Sequence, residues 1–132
     1  MYSGSCLCRK VKFTITTKIS DIVFCHCSLC RKAQGSAFAT NGNVAAKNIK
    51  FISGEDNLTS YLYSEHQTKL FCKTCGSPIL SKNTQTPDIV RVRIGSIESE
   101  LNETPEAHIF VDSKANWDEI TDSLPQYAGY KE

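Results

Sequence analysis

The sequence has no excess charge of either sign. Fifteen lysines and arginines against fourteen aspartates and glutamates leave a formal net charge of +1. That balance excludes the basic stripe of a nucleic-acid surface and a strongly charged membrane-binding face. No apolar run approaches the roughly 20 residues needed to cross a bilayer. The opening residues, Met1-Tyr2-Ser3-Gly4-Ser5, have no basic start followed by an apolar stretch, so no signal peptide is expected and a cytoplasmic location is the default. With four prolines and seven glycines among 132 residues, there is no linker-like stretch, internal repeat or low-complexity segment. One domain spanning 1–132 is expected.

What the sequence does have is cysteine. Seven occur, grouped as Cys6-x-Cys8, Cys25-x-Cys27-x2-Cys30 and Cys72-x2-Cys75, with none after Cys75. In a reducing compartment such close spacing points to metal rather than to disulfides, and an odd number cannot all pair. The 40% hydrophobic content is enough for a core that needs no covalent staples.

Around the cysteines the pattern is β-like. Val11 to Thr16 alternates apolar and polar residues, and Ile22-Val23-Phe24 is a short apolar run. Gly35 to Thr40 reads as a strand ended by a turn at Asn41-Gly42-Asn43, and Ile49 to Ile52 as another before Ser53-Gly54. Leu58 to Tyr63 and Thr68 to Phe71 form a candidate hairpin. Pro78-Ile79-Leu80, Asp88 to Ile97 and His108 to Val111 complete the strands. Helix is expected only at Lys114 to Ile120 and around Thr121 to Leu124, with Pro125 as a stop. Many short strands with regular turn signals indicate a mostly β fold with little helix.

Zinc takes four ligands in a tetrahedron, and thiolate suits it well. Cys6 and Cys8 can be completed by Cys72 and Cys75, closing a structural site across the chain. Cys25, Cys27 and Cys30 then hold a second ion with an open fourth position, the feature of catalytic rather than structural zinc. Arg31 and Lys32 follow directly and can offset the thiolate charge or hold an anionic substrate. Two alternatives remain open on spacing alone. A histidine (His26, His66 or His108) could close the second site, or Cys25 and Cys27 could pair with either outer group. His26, lying between two ligands, reads as a packed or solvent-facing residue and at most a weak general base. Arg91 and Arg93 read as a solvated strand face, with a substrate-facing pair as the alternative, and Phe38, Trp117, Tyr127 and Tyr130 as packing residues.

Three segments carry a family resemblance. Gly4-Ser5-Cys6-Leu7-Cys8 with Val11 and Phe13 is one. Cys25-His26-Cys27-Ser28-Leu29-Cys30-Arg31-Lys32 with Gly35-Ser36-Ala37-Phe38 is the second, and Phe71-Cys72-Lys73-Thr74-Cys75-Gly76-Ser77-Pro78 the third. With Pro105, His108 to Val111, Ser113 to Ala115 and Trp117, the chain resembles, over nearly its whole length, the glutathione-dependent formaldehyde-activating enzymes. That family shares its domain with centromere protein V. One position departs: Arg9 stands where the family has glycine after the second cysteine, restricting positive φ at that turn.

The resemblance implies a β-tent of packed antiparallel sheets and two zinc ions per chain. One is structural, at Cys6, Cys8, Cys72 and Cys75; the other is at Cys25, Cys27 and Cys30. It also implies glutathione as the small-molecule partner and a carbon-sulfur lyase-type activity that forms S-hydroxymethylglutathione from formaldehyde. Arg31, Lys32 and Ser36 are the candidate glutathione contacts. Two readings compete: a zinc module that binds a thiol without turnover, and a protein- or chromatin-interaction domain. The near-zero net charge and the lack of a basic extension count against nucleic acid.

Overall fold

The computed structural model describes residues 1–131. Ten strands and one short helix follow in order: β1 (Tyr2–Ser5), β2 (Lys12–Ile15), β3 (Ser20–Cys25), α1 (Ser28–Gln34), β4 (Ala39–Ala45), β5 (Ile49–Ser53), β6 (Leu58–Leu62), β7 (Gln67–Cys72), β8 (Pro78–Asn83), β9 (Ile89–Arg93) and β10 (Ala107–Ile109). The fold is mostly β, as expected. A three-stranded sheet runs β1-β2-β5, and a seven-stranded sheet runs β10-β3-β4-β9-β8-β7-β6. Every pairing is antiparallel except β10 on β3, which is parallel. Among the described residues no helix is long and apolar enough to cross a membrane.

Side-chain alternation explains how the large sheet divides its two faces. Along β9, Val90 and Val92 point into the main core, where they meet Leu80, Ile79 and Val44 and, from the small sheet, Phe13 and Ile15. The intervening Arg91 and Arg93 therefore stand on the opposite face. Cross-strand register puts Asn41 of β4 opposite Arg93, and Ser81 of β8 opposite Arg91. A second, smaller cluster of Val23, Cys25, Ala107 and Ile109 joins β3 to β10, with Cys27, Cys30, Phe110 and Tyr127 packed against it.

Two local expectations fail for identifiable reasons. Asn41-Gly42-Asn43 is not a turn but the middle of β4. A Cβ on Gly42 would lie 2.3 Å from the Ile19 side chain and 3.0 Å from Ile94, so glycine is there for close packing. The strand expected at Gly35 to Thr40 accordingly begins only at Ala39 and continues through this segment; before it Ser28–Gln34 is helical, with Leu29, Arg31, Lys32, Ala33 and Gln34 all good helix formers. Gly35 ends it as a left-handed cap at φ 64°, a conformation glycine adopts without steric cost.

The helix expected at Lys114 to Ile120 is absent. A 3-10 turn occupies Val111–Ser113, and the Asp118 amide bonds to Ala115, three residues back rather than four. The Lys114 ammonium donates to the carbonyls of Ala115 and Asp118, drawing them out of any helical ladder. Trp117 is 68% exposed and packs nothing onto the sheet. Tyr127 does pack, against the β3–β10 cluster, while the exposed Tyr130 stacks edge-on against Phe110.

Candidate metal centres

The seven sulfurs resolve into two groups. Cys6, Cys8, Cys72 and Cys75 bring their Sγ atoms within 4.8 Å of one another, and Cys25, Cys27 and Cys30 do the same separately. No disulfide forms; all seven thiols are free.

In the four-cysteine group, Cys6 and Cys8 flank the turn between β1 and β2, while Cys72 and Cys75 flank the turn between β7 and β8. The Cys6–Cys8 and Cys8–Cys72 sulfur separations are 3.6 and 3.7 Å. Four sulfurs at a Zn–S distance of about 2.3 Å around a tetrahedron would be about 3.8 Å apart, so the spacing fits that ion. Amides converge on the sulfurs as they do on thiolates: Val11 N–H to Cys6 at 3.3 Å, Cys75 N–H to Cys72 at 3.5 Å, and the Asn57 side-chain amide to Cys72 at 3.2 Å. A hydrogen bond with the Ser77 hydroxyl holds the Cys75 thiol down at about 5. Arg9 does adopt the positive φ that the turn needs, at 67°, and its side chain reaches an ion pair with Glu98.

The three-cysteine group lies where β3 ends and α1 begins. Cys25 is the last residue of β3. Cys27 caps α1, its sulfur accepting the Cys30 amide at 3.3 Å. Hydrogen bonds from the Cys25 and Cys30 thiols hold Cys27 far below the ordinary thiol range, and the same contacts push Cys25 up. Cys27 is thus favoured as the thiolate, the form in which cysteine binds a metal, with the other two sulfurs within 4.8 Å of it.

No histidine joins the group. His26 turns away from its neighbouring cysteines and is fully buried, with Nε2 2.9 Å from His108 Nδ1. His66 sits at the far hairpin, bonded to Thr84. Both alternatives left open by spacing, a histidine-closed site and a mixed pairing of the cysteine groups, lack support in the geometry.

Beside Cys25, Cys27 and Cys30 the large sheet forms a cleft of about 440 Å³. Its charged lining among the described residues consists of Lys32, Lys69, Arg91 and Arg93, with no aspartate, glutamate or histidine. Tyr61, Tyr63, Phe110 and Tyr130 supply aromatic wall. Of the basic and hydroxyl residues singled out by sequence, Lys32 lines the cleft, whereas Arg31 and Ser36 are not among its walls.

Arg91 and Arg93 are not a solvated face. Arg93 is only 6% exposed; burial lowers its pKa, and the nearby Cys30 thiol opposes that shift. Their i, i+2 spacing was visible in the sequence. What was not visible is that β9 lies inside a seven-stranded sheet with the cysteine loop over its polar face. Asn41, opposite Arg93, is 1% exposed, and neither its amide nitrogen nor its oxygen has a hydrogen-bond partner.

Comparison with known proteins agrees with this architecture. The family described as glutathione-dependent formaldehyde-activating enzyme matches residues 1–113. A protein of Halomonas elongata named "Putative glutathione-dependent formaldehyde-activating enzyme" is 28% identical over 141 residues, covering 98% of this chain and 88% of that one. An uncharacterized lyase of Schizosaccharomyces pombe is 24% identical over 113 residues, covering 86% and 80% respectively. A crystal structure of a Rhodobacter sphaeroides protein superimposes with a TM-score of 0.64 at 24% identity, over 78% of this chain and 97% of that one, and supports the fold. The family match extends across most of the chain and takes in all seven cysteines, and the chain belongs to the glutathione-dependent formaldehyde-activating enzyme family.

Proposed function

We propose that this chain binds a zinc ion at each cysteine group and adds the thiol of glutathione to formaldehyde, giving S-hydroxymethylglutathione. Cys6, Cys8, Cys72 and Cys75 form the closed, structural site. Cys25, Cys27 and Cys30 would hold a second ion, which would supply stabilisation of a substrate thiolate beside the cleft. The observation that carries this reading is that the three-cysteine group opens on a cleft with four cationic residues and, among the described residues, no acidic one. Glutathione is an anionic thiol, and the family name supports it as the partner.

Zinc held by three thiolates supplies stabilisation of a fourth thiolate and polarisation of a carbonyl. The protein's residues supply the rest. Cys25, Cys27 and Cys30 fix the donor geometry from a strand end and a capped helix. The Arg93 guanidinium, permanently charged, offsets the excess negative charge of the thiolates. In the addition, the glutathione sulfur loses its proton and forms a bond to the formaldehyde carbon. The carbonyl π pair moves to oxygen, which takes up a proton, so no oxidant or reductant is needed. With no histidine or carboxylate in the cleft lining among the described residues, both protons exchange with water. Thiols remain reduced in the cytoplasm, the location this chemistry favours.

The lack of a general base in the cleft also favours a second reading, a module that binds the thiol without turnover. One experiment addresses both. Wild-type protein is expected to carry two zinc ions and bind glutathione saturably, while Cys27→Ser retains one zinc and loses the thiol. Two zincs and unchanged glutathione binding in Cys27→Ser would overturn the open-site assignment. Saturable binding with no acceleration of adduct formation over the uncatalysed rate would establish the non-catalytic module instead.

A further inference from the structure

Arg91 and Arg93 share one face of β9, two residues apart, yet their surroundings differ. The Arg93 head is already engaged: it is buried beside Cys25 and Cys30 and donates to Ser81 Oγ at 3.4 Å and to the Arg91 carbonyl at 3.2 Å. Lys69 is occupied differently, its ammonium 5.3 Å from the Phe71 ring centre and 6.0 Å from that of Tyr61. Arg91 is half-buried, and among the described residues no carboxylate pairs with it. It lies where the cleft meets a neighbouring hollow of about 370 Å³. Asp21, the only acid lining that hollow among the described residues, is paired with Lys131 at 2.8 Å.

A planar guanidinium with free donors, fixed by a strand in a pocket without acids, is suited to bidentate capture of a carboxylate. The unpartnered Asn41 amide on the same face adds a donor and an acceptor suited to a peptide group. Both features would be superfluous for a small neutral thiol.

We propose that Arg91 is the carboxylate anchor of this cleft and makes it specific for thiols that carry a carboxylate, whereas Arg93 serves the cysteine group. This rests on the thiol-binding reading above. The zinc-loaded protein would be titrated calorimetrically with glutathione, with glutathione diethyl ester, which keeps the thiol and peptide groups but caps both carboxylates, and with 2-mercaptoethanol. A charge-assisted, bidentate contact implies a preference of about tenfold or more for glutathione over its diester. Arg91→Gln is expected to bring that ratio near one, and Arg91→Lys, which keeps the charge but loses the fork, to give an intermediate ratio. Circular dichroism and zinc content confirm that both variants are folded and loaded. Equal affinity of the wild type for glutathione and diester, or an undiminished ratio in folded Arg91→Gln, would overturn the anchor while leaving thiol binding intact. Failure of all three thiols to bind would overturn the thiol reading and the anchor together.

Discussion

Nε2 of His26 lies 2.9 Å from Nδ1 of His108, and the far nitrogen of His108 lies 3.0 Å from an Asp122 carboxylate oxygen. The carboxylate accepts, so His108 carries its proton on Nε2 and presents a bare Nδ1 to the N–H of His26. That leaves His26 Nδ1 deprotonated, and it is the nitrogen without a partner. The chain of bonds ties the residue between Cys25 and Cys27 to the C-terminal segment. It orients the cysteine loop from behind, outside the cleft.

Replacing His108 by Ala strands the buried His26 N–H, which costs about 1–3 kcal/mol. His108→Gln, which retains an acceptor, is expected to cost less. Urea denaturation of the zinc-loaded proteins checks the order, and equal stability of His108→Ala and wild type would refute the link.

The same burial makes stability depend on pH. Burial lowers the pKa of His26, and the nearby His108 lowers it further. The unfolded state therefore binds the proton first, at about pH 6.5. Stability from the neutral ring is fully present above that pH and declines below it, levelling off under the depressed folded value. Thermal melts between pH 8 and 5 are expected to show a shallower loss in His26→Gln than in wild type. Parallel curves would count against the assignment.

Arg9 occupies a left-handed conformation, φ 67°, in the turn between Cys8 and β2. A glycine there relieves about 1 kcal/mol of backbone strain, and the ion pair with Glu98 that it forfeits is exposed and screened by solvent, so its loss costs little. Arg9→Gly should leave stability unchanged or slightly raised by chemical denaturation, with zinc content the same. A loss above about 1 kcal/mol would mean that the Glu98 pair outweighs the strain.

The cysteine groups were legible because ligand spacing is local: Cys72-x2-Cys75 and Cys25-x-Cys27-x2-Cys30 read the same in sequence and in space. Most strands were legible too, since apolar and polar residues alternate along Val11 to Thr16 and along Val90 to Arg93. Gly42 misled because glycine between two asparagines signals a turn, while its actual role, making room for Ile19, is a tertiary fact. Helix α1 was overlooked although Leu29 to Gln34 and the Gly35 cap advertise it; the cysteine spacing drew the segment toward a loop. The cleft was the least legible part. Arg91, Arg93, Asn41 and Lys69 come from three strands, β4, β7 and β9, whose order in the sheet only the fold reveals.

The most direct test of the central claim is zinc-edge X-ray absorption of the two-zinc protein before and after adding glutathione. A closed four-sulfur site and an open three-sulfur site predict an average of about 3.5 sulfurs per zinc at about 2.3 Å, rising to about 4 with glutathione. An average of four sulfurs before the thiol is added, or no change on adding it, would contradict an open position at Cys25, Cys27 and Cys30.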